Sequence, residues 1–203
     1  MKNISLFAAL LLTINITAFA QSLAFELDRI RQIKLLESSR DDVRRILYDY
    51  KLDSAEKDDE PSYSQDFSSE KLDIEISYTT GDCSDDADDT DEWKVAKGKV
   101  KFIEISFNDS VKFDELLLNA SDFQKEQRYA NIEGDFVYHD KEKGIAFMIN
   151  EGEISAIHLF PVKKQSSLLC KNEEAENLTT FYSKESYLRS VHKQSLSFYR
   201  ISG

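Results

Sequence analysis

Hydrophobic and polar residues alternate along several short stretches of the chain, which is the pattern of β-strands with one buried face. The alternation is strict over residues 72–78 and predicts a half-buried strand there. Similar runs predict five further strands, at 63–67, 100–107, 136–139, 145–149 and 154–160. Within 100–107 the alternation changes phase between Phe102 and Ile103, so we expect a bulge or burial on both faces there.

One helix is well marked by its sequence. Ser39 and Asp42 have the spacing of a capping box, with Asp in place of the usual Glu. The apolar residues that follow recur at i, i+3, i+4 and i+7 and form one stripe, which comprises Val43, Ile46, Leu47 and Tyr50. Residues 112–118 predict a second, short helix with Phe113, Leu116 and Leu117 inward, whereas residues 21–37 fit a strand and a helix equally well.

Tight connections join the last three predicted strands at 140–144 and 150–153. Gly144 and Gly152 would supply the positive φ that such turns require. We expect a turn or cap at 108–110, where the sequence is Asn-Asp-Ser.

These elements predict an α+β fold. The helices are too few to cover a parallel sheet, so an antiparallel meander with a few short helices is the natural class. Two halves, 39–107 and 110–161, would each contain a short helix followed by about three strands.

The first twenty residues have the form of an export signal. Lys2 precedes an apolar stretch, and Ala18-Phe19-Ala20 is the small-x-small pattern that a signal peptidase cleaves. Cleavage would leave 21–170 as a single domain and 171–203 as a polar tail, which either packs as an arm or stays mobile. The protein is then periplasmic or extracellular, without a transmembrane span. A retained membrane anchor is the alternative, although polar residues dilute the stretch.

Acidic residues outnumber basic ones. The chain has 38 Asp and Glu against 26 Lys and Arg, which gives a formal net charge of −12. A surface with this excess repels phosphate backbones, so the composition disfavours nucleic-acid binding.

Cys83 and Cys170 are the only cysteines of the chain. Two cysteines in an exported protein usually pair, so we expect a disulfide that closes a loop of nearly ninety residues. A catalytic thiolate would need a base and an electropositive setting, whereas Asp82, Asp85 and Asp86 surround Cys83.

The segment 82–92 holds seven carboxylates in eleven residues. It is either a solvated acidic loop or a weak Ca²⁺ site, because oxygen-rich loops bind Ca²⁺. An EF-hand would also need a turn glycine and a Glu at its twelfth position, which Lys97 occupies. The Ca²⁺ candidates are Asp85, Asp86, Asp88, Asp89, Asp91 and Glu92.

The three histidines, His139, His158 and His192, lack the closely spaced partners of a zinc site. His139 adjoins a predicted turn, so we expect it at the surface, whereas His158 lies on the apolar face of its predicted strand and should be a packed or edge residue. The chain has neither a GxSxG elbow nor a glycine-rich phosphate loop. We therefore expect no catalytic residues and no cofactor.

The segment 33–47 resembles the start of a group of uncharacterised exported bacterial proteins that share a PLxSTRxDVxxLLG-like segment. That group continues with a Gly-x-Cys strand end, a Trp-x-Val strand and a Pro-then-Cys segment. The corresponding residues here are 81–83, 93–95 and 161–170. The sequence departs from this pattern at Leu35, where the group has Pro.

More distantly, the helix-plus-strands pattern resembles BamE/SmpA-like and β-lactamase-inhibitor-like modules, which act by binding proteins. We therefore expect a non-catalytic exported protein that binds another envelope or extracellular protein through its sheet edges or acidic face. A Ca²⁺-binding module and an enzyme with a dispersed acidic site are the alternatives. The sequence does not indicate an oligomeric state.

Overall fold

The computed structural model describes residues 23–53, 64–81, 83, 93–116, 118–127 and 136–170. Within these ranges the chain forms two helices, two short 3-10 helices and one antiparallel sheet of eight strands. The helices are α1 (23–30) and α2 (Arg40–Ile46), and the 3-10 helices span Ala120–Asp122 and Lys163–Leu168. The strands are β1 (Lys51–Leu52), β2 (Ser64–Ser68), β3 (Leu72–Tyr78), β4 (Val100–Val111), β5 (Gln124–Gln127), β6 (Phe136–Asp140), β7 (Ile145–Asn150) and β8 (Glu153–Leu159).

Two four-stranded meanders make up the sheet. The strand order is β1-β2-β3-β4-β8-β7-β6-β5, so the last strand of each meander pairs with the last strand of the other. The predicted antiparallel meander is confirmed. Each half has four strands, one more than expected, because the very short β1 and the polar β5 show no alternation of hydrophobic and polar residues. The described structure is mainly β.

The capping box of α2 is confirmed. The backbone N–H of Ser39 donates to the Asp42 carboxylate at 2.9 Å, and the Asp42 N–H donates to the Ser39 hydroxyl at 3.4 Å. Residues 23–30 are helical, which decides between the two alternatives for 21–37. Their apolar side chains Leu23, Leu27 and Ile30 recur at i, i+4 and i+7 and are all buried.

Two local predictions were wrong. Residues 108–110 belong to β4 and not to a turn, because the Asn108 amide donates to the carbonyls of Ser69 and Glu70 in the neighbouring β2–β3 turn. The short helix expected at 112–118 is a turn at 113–116, since β4 continues to Val111 and leaves few residues before the next element. Leu117 lies outside the described residues.

The bulge expected near Phe102 is confirmed. The register of β3 and β4 shifts between Ser77, which lies opposite Phe102, and Tyr78, which lies opposite Val100. Lys101 is therefore the additional residue on β4, and it restores the alternation that places Ile103 and Ile105 in the core.

The two faces of the sheet carry different clusters of buried residues. One face, here called the helix face, packs against α1 and α2 and includes Ile74, Ile105, Phe147 and Ile157. The opposite face carries a smaller cluster that consists of Val137, Ala146, Met148, Ala156 and Phe160, with Phe102 at its margin. The buried residues of both helices belong to the first cluster and none to the second.

A disulfide joins Cys83 to Cys170, as predicted, across a sequence separation of 87 residues and a Cα–Cα distance of 5.2 Å. The fully buried Trp93 lies beside it and pairs with Leu169 in a short bridge. The disulfide therefore fixes residue 170 at the end of the sheet where β3 ends and β4 begins. Within the described ranges, no helix has both the length and the hydrophobicity needed to cross a lipid bilayer.

Candidate functional site

The register of the strands aligns the side chains of the opposite face into two rows that cross the sheet. The first row consists of Asp66, Glu75, Glu104, His158, Ala146, His139 and Gln124. The second row consists of Ser68, Asp73, Ser106, Ala156, Met148, Val137 and Glu126. The composition of both rows changes where β4 meets β8, so the opposite face has two chemically different halves.

The acidic half lies on β2, β3 and β4 and is defined by Asp66, Asp73, Glu75 and Glu104. These residues line a surface groove of about 220 Å³, which Asp53 extends at the end of β1. Like charges on directly opposed residues destabilise a sheet, and here Asp66 faces Glu75, which faces Glu104. The groove therefore concentrates negative charge, which a cationic ligand would complement.

The apolar half lies on β6, β7 and β8 and is defined by the five residues of the second cluster. Both described histidines lie in this half and are buried, with exposed fractions of 4% for His139 and 2% for His158. The expectation that His139 lies at the surface was therefore wrong. The residue is in β6, next to the turn as predicted, but its side chain lies on the opposite face and is buried there. The packed position expected for His158 is confirmed.

Each histidine contacts a carboxylate. The Nε2 atom of His158 lies 3.3 Å from Glu104, and the Nε2 atom of His139 lies 3.3 Å from Glu126. The His158 ring also packs edge-on against Phe102, with ring centroids 5.1 Å apart. The contact between His158 and Glu104 joins the acidic half to the apolar half.

The surroundings of His139 disfavour its charged form. Burial, together with the nearby Lys141, lowers the pKa of His139 below its usual value, although Glu126 acts in the opposite direction. Its Nδ1 atom is buried without a hydrogen-bond partner in the described part of the chain. His139 is therefore a buried side chain of β6 whose second ring nitrogen makes no hydrogen bond to the described residues.

A larger cleft of about 520 Å³ lies at the end of the sheet near the β6–β7 turn. Its walls are mostly apolar, and Arg31 and Lys143 contribute positive charge. Both cations already contact carboxylates, because Arg31 pairs with Asp28 at 3.4 Å and Lys143 pairs with Asp140 at 2.8 Å. The positive charge in this cleft is therefore already paired with carboxylates of the chain itself.

The edges of the sheet are poorly suited to adding a strand. β1 has two residues, and all four residues of β5 are exposed and polar, with Lys125 and Glu126 among them. Short, charged edges oppose pairing with another strand. Of the two binding surfaces expected from the sequence, the acidic face is therefore better supported than the edges.

The predicted Ca²⁺ site lies entirely outside the described part of the chain. The six candidate ligands Asp85, Asp86, Asp88, Asp89, Asp91 and Glu92 lie outside the described residues, as do His192, the export signal 1–20 and the tail 171–203. Among the residues that are described, no group of three or more His, Cys, Asp or Glu side chains is arranged to hold a metal ion.

The acidic row was not identified from the sequence, because its members are far apart along the chain. Asp66, Glu75 and Glu104 become neighbours only through strand pairing. The strict alternation in 72–78 already placed Asp73 and Glu75 together on the polar face of one strand. The pairing partners, however, depend on the order of the strands in the sheet.

Comparison of the chain with known protein families, curated proteins and solved structures found no match. The resemblances drawn from the segment 33–47 and from the helix-plus-strands pattern stay predictions.

Proposed function

We propose that this protein is an exported, non-catalytic binding module whose acidic half receives a basic segment of another protein. The observation that carries the proposal is the uninterrupted row of opposed carboxylates Asp66, Glu75 and Glu104, with Asp73 beside it. The disulfide between Cys83 and Cys170 supports export, because such bonds persist in oxidising compartments.

Geometry favours an extended polypeptide as the ligand. Neighbouring strands are about 4.8 Å apart, so three carboxylates in a row across β2, β3 and β4 span about 10 Å. Cationic side chains on one face of an extended segment recur every second residue, about 6.6 Å apart, and two or three of them would reach this row. Carboxylates at fixed spacing should therefore bind such a segment more tightly than a ligand whose positive charges have no regular spacing.

Binding should be driven by charge and therefore depend on salt. Each exposed ion pair contributes about 0.2–1 kcal/mol, so the loss of three carboxylates should weaken binding about tenfold. The interaction should also weaken as the ionic strength rises, since salt screens exposed charges beyond about 8 Å at physiological concentration.

A synthetic octapeptide of alternating lysine and tyrosine tests the proposal, because its lysines share one face when it is extended. The row variant Asp66→Asn/Asp73→Asn/Glu75→Gln should bind it about tenfold more weakly than the wild type in a calorimetric titration. Glu104 is kept in this variant because it contacts the buried His158.

A control variant separates the row from the net charge. Asp28→Asn/Glu37→Gln/Asp114→Asn removes the same number of charges at exposed positions outside both rows, and its affinity should stay within twofold of the wild type. Equal weakening in both variants would show that net charge, and not the row, accounts for binding, which would contradict the proposal. The absence of measurable binding by the wild type would contradict it as well.

A further inference from the structure

The cleft at the β6–β7 end of the sheet has the size and the lining of a small-molecule site. Its volume is about 520 Å³, and its buried side chains are Ile33, Ile145 and Phe160, each less than 9% exposed. The partly buried Leu35 and Val162 extend the same apolar lining. Pockets that take small organic ligands have volumes of about 300–1,000 Å³ and combine mostly apolar walls with a few polar groups.

Hydrogen bonds within the chain shape the cleft. The N–H of Phe160 donates to the Gly144 carbonyl at 2.9 Å, which holds the end of β8 against the β6–β7 turn. On the adjoining wall, the Val162 N–H donates to the Oε1 atom of Gln165 at 3.0 Å. Because these contacts already order the walls, a ligand that enters the cleft loses less binding free energy to ordering.

The polar side chains of the cleft offer hydrogen-bond donors to a ligand. Arg31 and Lys143 are cations, and the Oε1 atom of Gln165 already accepts from Val162, so the amide NH₂ of Gln165 is left as a donor. None of the described residues that line the cleft is acidic, in a chain with 38 Asp and Glu. The cleft is therefore suited to a ligand with an acceptor or anionic group.

The existing ion pairs leave both cations able to contact a ligand. Arg31 pairs with Asp28 through Nη1 at 3.4 Å, and these two side chains are 51% and 74% exposed. Lys143 pairs with Asp140 at 2.8 Å. A guanidinium has five N–H donors and an ammonium has three, so each cation can donate to a second acceptor. Neither carboxylate belongs to the lining of the cleft, so a head group inside it meets donors.

We propose that this cleft binds an amphiphile of the fatty-acid class, with an anionic head group and a linear hydrocarbon chain. The chain packs on Ile33, Ile145 and Phe160, and the carboxylate binds Arg31 and Lys143. An inorganic anion would leave the apolar lining in contact with water, and a neutral hydrocarbon would leave the donors without an acceptor. The cleft is separate from the acidic half, so this proposal does not rest on the proposed function.

A calorimetric titration of chain 21–203 with sodium laurate, below its critical micelle concentration, tests the proposal. Arg31→Gln/Lys143→Gln should bind laurate about fivefold more weakly than the wild type, because two ion pairs with the head group are lost. Both side chains are more than half exposed, so the variant should fold. Decanoate should bind the wild type about tenfold more weakly than laurate, since it has two fewer methylene groups to bury.

Arg45→Gln/Lys51→Gln is the matched control, because it removes two cations at exposed positions outside the cleft. Its affinity for laurate should stay within twofold of the wild type. The proposal is overturned if the wild type does not bind laurate, if the two double variants bind it equally well, or if decanoate binds as tightly as laurate. Laurate is an anion and does not probe the acidic half, so this result and the result with the lysine–tyrosine peptide are independent.

Discussion

A methyl group at Gly144, in the turn between β6 and β7, should be strongly destabilising. The residue has a φ of +65°, and a Cβ atom there would overlap the carbonyl oxygen of Phe160 and lie 3.2 Å from a methyl group of Val162. The backbone of Phe160 must therefore move away, although its N–H donates to the Gly144 carbonyl at 2.9 Å.

The cost of Gly144→Ala can be built from three contributions. A left-handed conformation costs an alanine about 1–2 kcal/mol. Loss of the hydrogen bond from Phe160 adds about 1 kcal/mol, and displacement of its buried side chain adds about 1–3 kcal/mol through overpacking. The free energy of unfolding should therefore fall by about 4 kcal/mol.

Gly152→Ala is the matched control. Gly152 also has a positive φ, of +86°, in the β7–β8 turn, but no atom lies within 4 Å of the added Cβ position. Only the backbone strain remains, and the lower entropy of the unfolded alanine chain partly offsets it, so the loss should be about 1 kcal/mol.

Urea denaturation followed by the fluorescence of Trp93 measures both variants, because Trp93 is the only tryptophan and is fully buried. The difference of about 3 kcal/mol corresponds to roughly a hundredfold change in the unfolding equilibrium constant. In thermal denaturation, the midpoint of Gly144→Ala should lie roughly 9 °C below that of Gly152→Ala. Equal losses in the two variants would refute the close approach of the β6–β7 turn to Phe160.

Three further predictions concern the disulfide, the helix cap and the buried histidine. Replacing Cys83 and Cys170 with alanine should lower the free energy of unfolding by up to about 4.6 kcal/mol, and the reduced wild type should match the variant in urea. Ser39→Ala should cost about 1 kcal/mol in thermal denaturation, whereas the exposed Ser121→Ala should cost almost nothing. The pKa of His139 is lowered in the folded protein, so the unfolded chain binds a proton more readily and the free energy of unfolding falls as the pH drops through about 6.5. His139→Gln should flatten the profile of unfolding free energy against pH in this range. An unchanged profile would contradict the lowered pKa.

Local sequence patterns predicted the strands that have one apolar and one polar side. The strand at 72–78 has the predicted bounds, because its alternation is uninterrupted from Leu72 to Tyr78. The phase change near Phe102 also marked a real bulge, since an additional residue must shift the alternation by one. These features depend only on neighbours along the chain.

Features that depend on distant contacts were not predicted. Asn108 continues β4 because its side chain binds carbonyls in the β2–β3 turn, a contact between residues almost forty positions apart. His139 looked exposed because the polar turn that follows it dominates the local pattern, yet strand pairing places it next to the buried Ala146.

The candidate site was likewise predicted only in the part that depends on neighbours along the chain. The polar side of β3 was evident in the sequence, but the acidic row also requires β2 and β4 to pair with β3 in one particular register. A shift of one residue would turn Glu104 to the helix face and destroy the row. The sequence pattern constrains which residues share a face but not which of them become neighbours across strands.

An amide NMR titration of chain 21–203 with the lysine–tyrosine octapeptide at low salt tests most directly whether the acidic half of the opposite face is a binding surface. The largest chemical-shift changes should fall on β2, β3 and β4 around Asp66, Glu75 and Glu104. Shift changes confined to the β5 edge or to the cleft beside Arg31 would contradict it.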